Sequence, residues 1–345
     1  MSKKIGIVGA GNMGQAIAWA MQSLGYDLVV LDQSERSIRA CQKTIGCNDT
    51  SKFIRGTSYT SIDTCDAVVS SLPYHQNYEL AKFCIDNSIA YFDLGGSVGT
   101  SDKINDYAKS RAKRPVLTDL GLAPGWVNII TEHMVEKILE KTGDAPQSVR
   151  MMVGGLPQSP QNTLKYTCTW SYDGLINEYK DNCIVLINGM QDLARGLGGY
   201  EYPIETQIGD LEAFYTSGGA AHTIPSLQRK GVQNCSYKTL RYKGHRDLVN
   251  FLIHESKMSD ETVAEVFKRT CPPQDDLVII KVDVDHSKFE NIIKSDQKFS
   301  AMQKATAFPI AAAAHSVLSE PPSQNVLKYG DLRVKEFNKS LDSLF

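Results

Sequence analysis

No run of apolar residues in this 345-residue chain is long enough to cross a bilayer as a helix. Nor is any stretch dense in lysine or arginine: 37 basic side chains stand against 39 acidic ones, for a formal charge of −2. That balance argues against nucleic acid and anionic membrane surfaces as partners. The eight cysteines are scattered, with no C-x-x-C pair and no cysteine–histidine spacing of a metal site. Cys41 and Cys47, the nearest pair, read as ordinary thiols. No metal is expected, and a reducing, cytoplasmic setting fits such usage. Met1-Ser2-Lys3-Lys4 leads straight into an apolar strand, so no secretion signal is expected. Internal repeats and low-complexity segments are also missing. The length does allow two domains and a substantial core.

What is present begins with Lys3 to Asp32. Ile5, Ile7 and Val8 form a short apolar run, followed by Gly9-Ala10-Gly11-Asn12-Met13-Gly14, a G-x-G-x-x-G turn. In such a turn one glycine makes the tight reversal and one lets backbone approach a pyrophosphate. The third lets helix pack close on strand. Met13, Ile17, Met21 and Leu24 recur at near-helical spacing up to Gly25. The start of that helix offers free N–H groups and a positive dipole end to an anion. Leu28 to Leu31 form a second strand ending in Asp32, which suits the adenosine ribose hydroxyls and repels a 2′-phosphate. NAD is therefore the expected cofactor, with NADP less favoured but kept open by the nearby Arg36. Gly9, Gly11, Asn12, Met13, Gly14 and Asp32 are the candidates to hold it.

Strand and helix then alternate. The pattern predicts helices over Glu35 to Gly46, Tyr78 to Ser88 and Asp102 to Lys113. It predicts strands over Asp66 to Pro73, Ile89 to Leu94 and Pro115 to Asp119. The expected fold class is α/β: a Rossmann-type, doubly wound parallel sheet with helices on both faces. Loops at the carboxyl ends of its strands line the cofactor. Leu72 and Pro73 are thus candidates for the nicotinamide side, against the alternative that Pro73 only starts a helix. Gly95 and Gly96 offer the same close backbone approach.

From Asp119 to Asn128 the rhythm breaks. A helix is expected over Val127 to Glu140, then a β-rich stretch with few helices. Its strands are Val149 to Gly154, Leu164 to Trp170, Cys183 to Ile187, Tyr237 to Tyr242 and Leu277 to Val284. From Ala301 an alanine-rich, buried helix is expected, kinked or split by Pro309. The chain thus divides into a dinucleotide-binding domain of residues 1–122 plus 301–345 and an inserted α+β domain of residues 123–300. The inserted part is expected to bind substrate and to form a homodimer or higher homo-oligomer.

Several stretches, taken together and in order, carry a family resemblance. They are Asp93-Leu94-Gly95-Gly96, Asp119-Leu120-Gly121-Leu122-Ala123-Pro124-Gly125 and Val153-Gly154-Gly155-Leu156-Pro157. Trp170 to Tyr179, Leu211 to Gly219, Tyr237 to His245 and Ala305-Thr306-Ala307 complete the set. The sequence resembles the saccharopine dehydrogenase-like oxidoreductases, and within them the lysine 6-dehydrogenases. The resemblance implies a C–N bond oxidised, or formed reductively, at an amino acid or polyamine with a nicotinamide cofactor. Saccharopine-forming relatives tend to carry an acid just before the Pro-Gly of the hinge loop, where this chain has Ala123. That departure favours oxidative deamination of L-lysine at its 6-amino group over a saccharopine-type or carboxy-polyamine dehydrogenase. From another class, a catalytically silent nucleotide-binding protein is the remaining alternative.

A small amino-acid substrate needs a carboxylate clamp and a proton acceptor. Arg241 is the clamp candidate, since guanidinium grips carboxylate in a bidentate fork; a salt bridge is its ordinary alternative. Lys238 and His245 are the base candidates. A lysine serves only if burial lowers its pKa, and His245, after Gly244, could instead cap the helix expected over Arg246 to Glu255. Tyr215 is a candidate relay, Glu178 and Glu212 are candidates for the substrate's ammonium groups, and Trp126 for the substrate wall. Core packing for Tyr215 and solvated surface for the two glutamates are the competing readings. His222 and His315 have no second catalytic partner in the sequence and read as structural.

Overall fold

Apolar runs punctuated by glycine and polar turns build the first part of the chain. In the computed structural model, which describes residues 2–345, these runs are β1 (Lys4–Val8), α1 (Asn12–Ser23), β2 (Asp27–Asp32), α2 (Glu35–Ile45) and β3 (Phe53–Arg55). Then come β4 (Ala67–Ser70), α3 (Tyr74–Asp86), β5 (Ala90–Asp93), α4 (Val98–Ala108) and β6 (Val116–Leu117). All six strands are parallel, in the order β3-β2-β1-β4-β5-β6. Ile5, Ile7, Val68 and Val69 are wholly buried, as a sheet covered on both faces requires. The strand order reverses between β1 and β4, the point where doubly wound sheets bind ligands beyond their carboxyl ends. The three-residue β3 is too short to leave a periodic signal in the sequence.

The later part comprises α5 (Trp126–Thr142), β7 (Ser148–Pro157), α6 (Tyr172–Lys180), β8 (Cys183–Ile187), β9 (Met190–Ala194), β10 (Glu201–Ile204) and β11 (Leu211–Tyr215). It continues with α7 (Thr223–Arg229), β12 (Asn234–Arg241), α8 (His245–Asn250), α9 (Asp260–Thr270), β13 (Asp276–Val284) and β14 (Ser287–Lys294). The chain ends with α10 (Ala301–Ser319) and α11 (Val334–Asp342). The second sheet has eight strands. Six run in the order β10-β11-β12-β7-β13-β14, and β8 pairs with β12 and β9. It is mixed: β12 and β7 are parallel and their other neighbours antiparallel. Residues 1–129 with 303–345 form one compact unit and residues 130–302 the other. Among the described residues no helix is long and apolar enough to cross a membrane.

Three expectations are corrected. Four helices, α6 to α9, interrupt the stretch read as β-rich with few helices. Leu164 to Trp170 is not a strand. Asn162 takes over the pairing of Tyr166 with its side chain, Nδ2 donating to the Tyr166 carbonyl and Oδ1 accepting its N–H. Leu164 and Tyr166 are buried there from a coil, which mimics strand alternation. Of the two effects expected of Pro309, a kink or a split, the split does not occur: α10 runs over 19 residues as one helix. Phe308 and Ile310 to Ala314 are essentially fully buried, and that apolar packing outweighs one lost backbone bond.

Candidate active site

In the first unit the glycine turn is shaped by backbone crowding. Gly9 has φ +96°, and its amide donates to the Leu31 carbonyl. Gly14 lies so close behind it that a Cβ there would overlap the Gly9 carbonyl oxygen and stand 2.7 Å from Ser71 Oγ. Gly11 is the N-cap of α1, and a Cβ on it would meet nothing within 4 Å. Asn12 and Met13 open that helix, whose first turn has no acidic residue. Asp32 closes β2. Its carboxylate accepts from the Ala10 amide at 2.6 Å and the Ser34 amide at 2.7 Å. Two of its roughly four lone-pair positions are thus used by backbone amides.

Pro73 is the N-cap of α3, and the Leu72 amide donates to Ser70 Oγ. Gly95 and Gly96 follow β5 with φ +76° and +116°. Trp126 is only 3 % exposed and stacks on Phe345. Its indole is core packing, which corrects its assignment to the substrate wall.

In the second unit the proposed catalytic set is divided by the sheet. Lys238 and Arg241 lie three residues apart on β12, so their side chains leave opposite faces. Lys238 pairs across the strands with Tyr215, lies over that ring and forms an ion pair with Glu201. Glu201 also pairs with Arg150. Lys238 is therefore a partnered cation rather than a base beside Arg241, and Tyr215 stays with it as its ring support.

On the other face, Arg241 is 4 % exposed and held on three sides. Its Nε donates to Tyr179 Oη, Nη1 donates to the Leu240 carbonyl, and the guanidinium lies over the Tyr166 ring. His245 is fully buried. A carbonyl can only accept, so His245 Nδ1 donates to Leu164 O at 2.7 Å. Its Nε2 is then the acceptor for the Tyr179 hydroxyl at 2.9 Å. Burial, and then the Arg241 charge, push the imidazole down to about 3, so the ring is neutral with both nitrogens engaged. His245 is not a base; through Tyr179 it orients Arg241. Tyr179 and Tyr166, missed in the sequence, are the residues that hold the guanidinium.

The two glutamates part company. Glu212, 1 % exposed, accepts from the Gly244 amide at 2.7 Å and the Arg246 amide at 2.6 Å. It caps α8, which corrects its assignment to a substrate ammonium group. Glu178, on α6, is half-buried and its carboxylate has no hydrogen-bond partner among the described residues. Burial pushes its carboxyl up to about 8, and the Arg241 charge opposes that rise. The arrangement can therefore hold an anion at the unclaimed Arg241 Nη2 and a cation, or a proton, at Glu178. His315 lies 3.1 Å from the Tyr26 hydroxyl.

Two family models match the chain. The model of the saccharopine dehydrogenase C-terminal domain matches residues 121–342. Another, described as NADP oxidoreductase coenzyme F420-dependent, matches residues 4–89. Mitochondrial alpha-aminoadipic semialdehyde synthase of Rattus norvegicus is 25% identical in a 219-residue match that covers 58% of this chain and 22% of that protein. The chain spans about a fifth of that relative's length. Apo saccharopine dehydrogenase (L-Glu forming) from Saccharomyces cerevisiae matches over 99% of this chain and 96% of its own, with a TM-score of 0.73 and 14% identity. That likeness supports the doubly wound sheet with a second mixed sheet. The family model covers most of the chain, and the chain belongs to the saccharopine dehydrogenase family of oxidoreductases.

Proposed function

We propose that this protein uses a nicotinamide nucleotide, NAD in preference to NADP, to oxidise a C–N bond of an amino acid, with the 6-amino group of L-lysine as leading substrate. The observation that carries the reading is the pairing of a locked, partly unclaimed Arg241 with the unpartnered Glu178, a match for the carboxylate and ammonium of an amino acid.

The residues of the first unit fit the nucleotide. The open space over Gly11, the acid-free first turn of α1 and the Asp32 carboxylate suit a pyrophosphate and a ribose diol. When bound, the oxidised nicotinamide supplies a hydride acceptor for the amine-bearing carbon. Arg241 would hold the substrate carboxylate through Nη2, its direction set by Tyr179 and His245. Glu178, once ionised, would take a proton from the substrate ammonium, because only the neutral amine has the lone pair that supports hydride loss.

A saccharopine-type dehydrogenase is the second reading. It is favoured by the family model and by the name of the yeast structure, and disfavoured by Ala123. Incubation with NAD and either L-lysine or saccharopine, assaying NADH, ammonia and released amino acid, separates the two. NADH and ammonia from lysine are expected. Turnover of saccharopine alone would establish the second reading, and NADH from neither would refute both.

A further inference from the structure

Beyond the residues already assigned, two acids lie buried side by side where the first sheet ends. Asp93 closes β5, and Asp119 follows the adjacent β6; each is 1 % exposed. Asp93 Oδ1 accepts the Gly95 amide at 2.8 Å and the Asp119 amide at 3.0 Å. The Asp93 carbonyl also accepts the Leu120 amide. One residue thus ties the turn at 93–96 to the turn at 119–125, and both turns lie at the carboxyl ends of parallel strands. Contact is tight: a Cβ on Gly95 would overlap Asp119 Oδ1. Asp119 itself has φ +63°, accepts the Ser101 hydroxyl at 2.8 Å, and receives the Tyr329 hydroxyl on its carbonyl.

No hydrogen bond of good geometry reaches the buried Asp93 Oδ2, and the Tyr91 phenol beside it donates to the Asn77 carbonyl at 3.3 Å. The groups that act on it are Asp119, the Tyr91 phenol on its own strand and the Gly95 and Asp119 amides, with no lysine, arginine or histidine among them. Ser70 of β4 faces the same Tyr91 phenol. Two amides and the phenol favour the ionised form, but the carboxylate is buried beside a second acid, and burial with that neighbour outweighs them. Burial, and then the Asp119 charge, push the Asp93 carboxyl up to about 7.

We propose that Asp93 is a positioning residue that works as the neutral acid, clamping the 93–96 and 119–125 turns in the shape that grips the nicotinamide nucleotide. This rests on the reading of the first unit as a nucleotide site. Loss of the proton places a second negative charge between the turns, against Asp119 and toward a polyanionic ligand. Nucleotide affinity then falls as pH rises through neutrality.

The test is NADH fluorescence titration from pH 6 to pH 9, with thermal unfolding over pH 4 to 9 on the same proteins. Wild-type affinity is expected to weaken about tenfold or more between the ends of the titration. Asp93→Asn, which mimics the neutral acid, is expected to bind as wild type does at pH 6 and to keep a flat profile. Asp119→Asn removes the neighbouring charge and is expected to move the break to lower pH. The unfolding arm does not depend on nucleotide. Because the folded pKa is raised, the contribution of Asp93 to stability is full below about pH 4 and lost as pH rises to about 7. Wild type is expected to lose that part of its Tm and Asp93→Asn to lack the loss. A pH-independent wild type, or an Asp93→Asn protein with the wild-type profile, would overturn the proposal. Absence of NADH binding at every pH, with the Tm difference present, would refute the nucleotide site while leaving the protonated acid established.

Discussion

Replacing Gly14 and Gly11 separately by alanine tests whether the glycine turn is shaped by packing or by a ligand. At Gly14 the new methyl would overlap the Gly9 carbonyl oxygen and press on Ser71 Oγ at 2.7 Å. Neither neighbour can simply step aside. Ser71 Oγ donates to the Gly9 carbonyl at 2.8 Å, and the Gly9 amide is tied to Leu31. Overpacking of this kind costs about 1–3 kcal/mol or more. The better helix propensity of alanine returns roughly 0.5–1 kcal/mol. A net loss of about 2 kcal/mol should lower Tm by roughly 4–8 °C in a unit of this size. At Gly11 a methyl meets nothing within 4 Å and φ is −68°, so only the weaker N-cap is lost, about 1 kcal/mol or less. If a pyrophosphate occupies that open space, Gly11→Ala should nevertheless weaken NADH binding about tenfold, or roughly 1.4 kcal/mol. Circular dichroism melts and NADH fluorescence titration read the two effects. A Gly14→Ala protein melting with wild type, or a Gly11→Ala protein binding NADH as wild type does, would refute the reasoning.

Tyr179→Phe removes the donor to His245 Nε2 and the acceptor for Arg241 Nε. It should cost about 2–4 kcal/mol in urea unfolding and raise substrate KM while NADH affinity stays unchanged. Glu212→Ala leaves the Gly244 and Arg246 amides uncapped. A loss of about 1–2 kcal/mol in stability is expected, with substrate KM unchanged in the folded protein. Burial holds the Glu178 carboxyl at about 8, so its anion accumulates only as pH rises through that value. The kcat/KM for amino acid should climb across that range, and Glu178→Gln should lack the climb. Asp32→Ser should narrow the kcat/KM preference for NAD over NADP by about 1–3 kcal/mol, read by parallel assays with the two nucleotides.

The first unit was legible because its signals are local. Glycine spacing, a short apolar strand, a helical stripe and Asp32 all lie within about thirty residues, and the turn chemistry follows from sterics alone. The second unit was less so. Leu164 and Tyr166 alternate like a strand, yet a side-chain pairing from Asn162 replaces the ladder. Lys238 and Arg241 are near in sequence, but strand alternation sends them to opposite faces, a separation that their three-residue spacing already implied.

By itself, the sequence determined the parallel α/β beginning, the glycine turn with its acid, and the family motifs, since each depends on neighbours along the chain. Only the tertiary structure decided which polar residues are chemically available. His245 is neutral and spent because Leu164 and Tyr179 reach it from 81 and 66 residues away. Glu212 is a cap because the chain returns to it at Gly244, and Glu178 is perturbed because burial leaves it without a partner. Availability is set by desolvation and by long-range hydrogen-bond partners, and neither quantity exists until the chain has folded.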